Sequence, residues 1–427
     1  MTLNRREFAK AAVAIGGASA LSACLGFAEE PIPKGDGVGA LPERQFAWNE
    51  FVRQDDHGNV ALPRHQVLLY LRLPDEGPPT AAQRERVDAA LSTLAEAFEW
   101  SAEGLVFSVG YSPYYFERFD EELPGGIDLP KPRALASFED PALDDHDALV
   151  HLASDRADAV LAAEQALTGE RDSVNTVEAT PLTGALELAD PATGADRRTG
   201  FVGPGMPAER QSGLEGVPGS EPVPAASPLF MGFKAGFAGN QAPEGAVAFE
   251  SGPFAGGTTK VVANIRQRLD DWYEEQSFQE QVMEMFSPAH AEQELVEGVG
   301  ENLGDDSGID RFVDDIEQQA REFGRVGHAQ KAARANRDAD GTPLLLRRHF
   351  ESTDENVASL HFPSLQREVR QFEAVRRAMN GQDITRVTPA VRPQVNNGIL
   401  EYIFTRRRGN FLVPPRRHWA LPTPRPE

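Results

Sequence analysis

Between residues 65 and 188 the sequence alternates in an order that few folds accommodate. Residues 65–71 (HQVLLYL), 104–111 (GLVFSVGY) and 147–152 (DALVHL) are short apolar runs of strand length. Residues 81–98 place Val87, Leu91, Leu94 and Phe98 on one helical face, residues 155–167 form a second helical stretch, and 174–188 read as extended. The order β-α-β-β-α-β predicts a split β-α-β unit, an antiparallel sheet carrying both helices on one face. Strands and helices recur in a similar order in the second half, without matching residues. The expected fold class is therefore α+β: two ferredoxin-like domains with antiparallel sheets and helices packed on them, together barrel-like in the manner of a dimeric α+β arrangement.

A chain of 427 residues with 40% apolar content has room for two such cores. The predicted N-terminal domain is 46–190, and a Gly/Pro-rich, weakly hydrophobic stretch at 191–228 reads as the linker. The C-terminal domain is 229–427, interrupted by an acidic insertion at 287–323 with helical periodicity. Residues 29–45, rich in Pro and Gly, read as a flexible stalk.

The formal charge of −24 argues against nucleic-acid or anionic-membrane partners, because phosphate recognition needs clustered Lys and Arg. Lysine is nearly absent: Lys10, Lys34, Lys131, Lys234, Lys260 and Lys331 are all there are. An acidic, lysine-poor surface suits a halophilic source, since at about 1 M salt the Debye length falls to roughly 3 Å and self-repulsion is screened.

Residues 1–28 read as an address. Arg5 and Arg6 precede AAVAIGGASALSACLGFA, a run too short and too small-residued for a membrane span, and the pattern resembles a twin-arginine export signal. Cys24, the sole cysteine, closes LSAC in the manner of a lipobox, so its thiol is the expected lipidation site. The expected location is the extracellular face of the cell membrane, touching the membrane only through that lipid anchor.

The candidate chemistry lies between residues 324 and 381. His328 opens a small-residue segment, GHAQKAARAN, and the apolar run Leu344, Leu345, Leu346 ends in Arg347 and Arg348. A neutral imidazole is a good axial ligand for haem iron, and a guanidinium stays cationic whatever the pH. His349 and His361 are competing imidazoles on neighbouring strands. His146 and His151 stand five apart across a strand, on opposite faces, and do not share a metal. No nucleophile motif supports a Ser/His/Asp triad. The basic clusters at 406–408 and 416–418 are better suited to acidic surface or a haem propionate than to nucleic acid.

The order of these segments resembles the dye-decolorizing haem peroxidases. The resemblance is carried by His328 and the Leu-Arg strand end at Arg347, by LVFSVGYSPYYFERF (105–119), and by FAGGTTKVV (254–262) with the IRQRLDDW that follows. It extends to NNGILEYIFTRRRGNFLVPPRRHW (396–419), whereas the acidic insertion has no clear counterpart. The resemblance implies haem b as cofactor, His328 as iron ligand, and Arg347 as both catalytic and haem-contacting. Hydrogen peroxide and a small-molecule reductant are the implied partners, and a homo-oligomer is left open. The family's distal loop, GxxDG, corresponds to Gly232, Phe233, Lys234, Ala235 and Gly236: both glycines are kept as implied cofactor contacts, and alanine replaces the aspartate. A methyl group accepts no proton, so the implied activity is a peroxidase of low efficiency. Its rival is a non-catalytic haem-binding or structural cell-surface protein.

Overall fold

The computed structural model describes residues 30–188 and 196–427. Eight strands organise it: β1 (His65–Arg72), β2 (Val106–Tyr111), β3 (Ala148–Ser154), β4 (Arg197–Phe201), β5 (Thr258–Gln267), β6 (Phe350–Ser352), β7 (Ser359–Gln366) and β8 (Ile403–Val413). They belong to one 11-stranded sheet and pair antiparallel in the order β4-β1-β3-β2-β8-β5-β7-β6, with β6 returning to β4. The chain is thus α+β, with a large antiparallel sheet closed into a barrel-like ring. Within each half the ladders run on, but the halves meet at few pairs: Phe201 with Glu351 at one edge, and at the other Tyr111 with Leu412 plus a short parallel bridge of Ala142 and Leu143 onto Arg407 and Arg408.

Closure explains why the strands read as apolar runs with little alternation. Val67, Leu69 and Leu71 pack under the helices α1 (Ala81–Ala97) and α2 (Ala157–Thr168), while Leu68 and Tyr70 face inward onto Leu149, Val262, Phe350 and Phe411 from both halves. Both strand faces are buried, so both are apolar. A capping box between Thr80 and Gln83 starts α1, satisfying donors that its first turn leaves free. The inside of the ring also holds polar groups: Lys260 Nζ donates to Ser108 Oγ (2.9 Å) and His151 Nε2 meets Gln66 Oε1 (2.8 Å), while the Tyr70 hydroxyl and His151 Nδ1 have no hydrogen-bond partner among the described residues.

Two sequence expectations are overturned. The stretch at 191–228 is more than a linker, because Arg197–Phe201 forms β4, the fourth strand of the first half and buried over most of its length. Its polar residues hid it: Arg198 is buried against Asp144 and stacks its guanidinium 3.8 Å from the centre of the Tyr70 ring. Residues 174–188, expected to supply that strand, form only two-residue strands. The supposed stalk is also packed down from residue 30 onward. Glu99 N donates to Pro33 O (2.9 Å) and Gly37 N to Ala95 O (3.2 Å). Gln45 is fully buried, donating through Nε2 to Val109 O (3.2 Å) and Pro414 O (2.8 Å), one from each half. Pro and Gly here shape a close-fitting strap, since short side chains let backbone approach backbone. The export signal and Cys24 lie outside the described residues, among which no helix is long and apolar enough to cross a membrane.

Candidate functional site

His328 begins the short helix α3 (His328–Ala333), and three features fix its place. Gly327 passes so near Phe286 that a Cβ there would lie 1.7 Å from its carbonyl oxygen, so no other residue fits. Gln330 donates through Nε2 to Phe312 O (2.6 Å). Lys331, buried, donates to Met379 O (2.7 Å), Asn397 O (2.6 Å) and Asn397 Oδ1 (2.7 Å), which ties α3 to the end of α4 (Val369–Met379). Three acceptors satisfy all three ammonium protons.

Arg347 sits in a two-residue strand, Leu346–Arg347, on the edge of β7. Gln241 clamps it: Oε1 accepts from Arg347 N (3.0 Å) and Nε (3.2 Å), and Nε2 donates to Arg347 O (3.2 Å). Among the described residues no carboxylate lies within ion-pair distance of its guanidinium. Burial lowers its pKa to about 10, and it remains a cation at neutral pH.

His328 and Arg347 line the same two adjoining cavities, each of about 140 Å³, together with Ala332 and Asn336. The first is walled by apolar side chains such as Ile265, Phe362, Phe372 and Val375, with Arg376 and Arg408 at its edge. The second lies under the loop of residues 232–240 and includes Ala235, Gly236 and Asn240. Gly232 and Gly236 take φ of 90° and 80°, so both glycines are needed for the loop's turns. Gly236 lines the second cavity; Gly232 is set back against the Tyr273 hydroxyl.

The acidic insertion roofs this loop. Lys234 N donates to Val299 O (2.8 Å), Gly239 N to Asp305 O (2.8 Å), and Ser307 Oγ to Asn240 Oδ1 (2.9 Å), while Ile309 reaches the cavity wall.

Burial, then the cations of Lys331, Arg347 and Arg376, push the His328 pKa down to about 3, so the imidazole is neutral. Among the described residues neither ring nitrogen has a hydrogen-bond partner. The competitors are placed elsewhere: His349 stacks on Phe362 with ring centres 5.9 Å apart, and His361 lies inside the ring, 3.7 Å from Asp354; neither lines the cavities. No group of three or more His, Cys, Asp or Glu side chains capable of holding a metal occurs among the described residues.

Sequence reasoning missed Glu139. Its carboxylate accepts from Arg376 Nη2 (2.6 Å), Arg408 Nη1 (3.1 Å), Thr405 Oγ1 (3.1 Å) and Leu135 N (2.9 Å). Burial pushes its pKa up, but the two arginines prevail and hold it at about 2. Arg408 belonged to a flagged basic cluster; Glu139 and Arg376 carried no local signal.

A neutral imidazole with free nitrogens, an apolar wall and three guanidiniums against one carboxylate suit an iron held in a flat apolar cofactor with acidic side groups. These residues fit haem. Among the described residues no aspartate or glutamate lines either cavity, so those present do not supply a carboxylate proton relay.

Residues 63–415 match the model of a family of unknown function, DUF7405. No curated protein matches the sequence. Solved structures with a similar fold include a dye-decolorizing protein from V. cholerae, at 13% identity and a TM-score of 0.52, covering 87% of this chain and 98% of that one. Another is the encapsulated DyP-type peroxidase of Mycobacterium smegmatis, at 15% and 0.53, covering 86% and 97%. A variant of Rhodococcus jostii RHA1 DypB in complex with heme matches at 15% and 0.52, covering 84% and 95%. At such identities the likeness is one of fold.

Proposed function

The chain belongs to the DUF7405 family of unknown function, and from that premise we propose that it binds haem b, with His328 as iron ligand, and reduces hydrogen peroxide slowly with electrons from a small-molecule donor. The observation that carries this reading is the neutral, unpartnered His328 sharing two adjoining cavities with Arg347, the first of them walled largely by apolar side chains. Bound haem would supply the redox chemistry. The chain's own groups hold and orient: Arg376 and Arg408 offer positive charge to acidic side groups, and Arg347 offers N–H donors to a departing peroxide oxygen. A second reading, haem binding without turnover, is favoured by the cavity walls, which carry no carboxylate among the described residues.

Haem titration followed by absorption tests the ligand. Wild type is expected to saturate at one haem per chain, and His328→Ala to shift the Soret band and weaken binding at least about tenfold. An unchanged spectrum in His328→Ala removes His328 as ligand, and no binding in wild type removes both readings.

The finer architecture belongs to the same proposal. The strand orders β4-β1-β3-β2 and β6-β7-β5-β8 are those of two ferredoxin-like units, the first ending with β4. Arg5, Arg6 and Cys24 support twin-arginine export and a lipid anchor on the extracellular face, and the formal charge of −24 supports a surface suited to high salt. Mass spectrometry of the membrane fraction should find an N-terminal lipidated Cys24; a soluble protein processed well beyond it would rule the anchor out.

A further inference from the structure

We infer that Asn59, which lines neither cavity, is a positioning residue for Arg347 and acts through the turn of residues 238–241. Asn59 precedes β1 in the first half and is 4% exposed. Both ends of its amide are used: Oδ1 accepts from Ala238 N (2.7 Å), and Nδ2 donates to Asp55 Oδ2 (2.9 Å) and Gly304 O (2.9 Å). One side chain thus ties the loop over the second cavity to the acidic insertion, reaching partners 179 and 245 residues away.

Asn59 is itself held. Gln54 bridges to Val60, and within that turn Asp55 Oδ1 accepts from His57 N (3.0 Å) and Asn59 N (2.9 Å). Asp55 Oδ2 also accepts from Lys234 Nζ (2.7 Å), so the same turn grips the cavity loop at both ends, at Lys234 and at Ala238. Ala235, Gly236 and Phe237, which line the second cavity, hang between those two anchors.

The route from there to Arg347 is short. Ala238–Asn240 forms a single tight helical turn with no side-chain cap of its own, closed by Gln241 N donating to Ala238 O (3.3 Å). Ala238 N is the first donor of that turn, and Asn59 Oδ1 caps it from the other half of the chain. The end of the turn holds the cation: Asn240 O accepts from Arg347 Nη2 (3.3 Å), and Gln241 clamps both the backbone and Nε of Arg347. Ser307 fixes Asn240 from the insertion side, its Oγ donating to Oδ1 (2.9 Å). Moving the start of so short a turn moves its end, and with it the guanidinium.

The role of Arg347 comes from the haem reading, on which the ligand measurement below rests; hydrogen exchange needs no haem. Exchange is followed by mass spectrometry in wild type and Asn59→Ala. The amides of residues 238–241 and of Arg347, whose N–H donates to Gln241, are expected to exchange about tenfold faster in the variant, with β1 and β3 unchanged. Ferric, haem-loaded protein is then titrated with fluoride, an anion that takes guanidinium donors, and followed by absorption. Asn59→Ala is expected to weaken fluoride about tenfold when Arg347 is present, and less than about twofold in Arg347→Ala. Unchanged exchange at Arg347, faster exchange throughout the ring, or equal weakening of fluoride in both backgrounds would each overturn the assignment. If wild type takes up no haem, the haem reading fails and exchange alone decides for or against Asn59. Should Asn59→Ala not fold, Ser307→Ala, which loosens the same turn at its other tether, is read by the same two measurements with the same deciding outcomes.

Discussion

Ala235→Asp is expected to raise peroxide turnover of the haem-loaded protein by about 10²-fold, and at most about 10⁴-fold, the range that positioned acid–base catalysis supplies. Ala235 lies on the cavity that His328 and Arg347 share, on a loop whose turns at Gly232 and Gly236 already exist. A carboxylate there would share the cavity with Arg347, which has no acidic partner among the described residues, and would add a carboxylate proton acceptor that the described cavity walls lack. Removing the donor should act the other way: Arg347→Ala is expected to lower the residual wild-type rate by about 10²–10³-fold. Steady-state peroxide assays on the three proteins, at matched haem content, decide it. Equal rates in wild type and Ala235→Asp would show that a missing proton acceptor does not limit turnover. Activity found only in Ala235→Asp would make the natural protein a haem binder.

The largest stability loss is expected at Glu139→Ala, of the order of 3–5 kcal/mol by chemical denaturation. Glu139 is the sole acidic partner within ion-pair distance of both Arg376 and Arg408 among the described residues, and the side chains of all three residues are at most 10% exposed. Truncation leaves two buried guanidiniums side by side. Glu139→Gln keeps hydrogen-bond acceptance and should lose less. The pH dependence has a definite sign: the folded-state pKa of about 2 lies below the ordinary 4.5, so this contribution is complete above roughly pH 4.5 and disappears as pH falls through about 2. A Glu139→Ala variant as stable as wild type at pH 7 would show that the hub carries no net stabilisation. Because Arg376 and Arg408 edge the His328 cavity, haem affinity should fall with it.

What the sequence disclosed, and what it hid, follows from the range of the interactions. β1, β2 and β3 were legible because each is a run of large apolar side chains buried on both faces. β4 was not, since its burial depends on Arg198 meeting Asp144, a pairing across 54 residues that no local pattern announces. The strap escaped for the same reason: Gln45 is held by Pro414, 369 residues away. At the site, His328 and Arg347 stood out through motif order and do share cavities, while Glu139 meets Arg376 and Arg408 only after the fold brings together residues 237 and 269 positions apart.

The ring's two seams set the order in which this molecule can be assembled. All four strands of the first half lie before residue 202, so that sheet needs nothing from the second to complete its ladders. The second sheet is likewise laddered within itself, from β5 to β8. Joining them asks for only a few pairs at each edge, and the longer of the two spans, from Tyr111 to Leu412, covers about 300 residues, where each doubling of loop length adds only about 0.6 kcal/mol of closure entropy. Closure is therefore the docking of two finished surfaces: within each half the third strand, β3 or β7, settles between the two that precede it, and none of the eight strands lies between two of the other half.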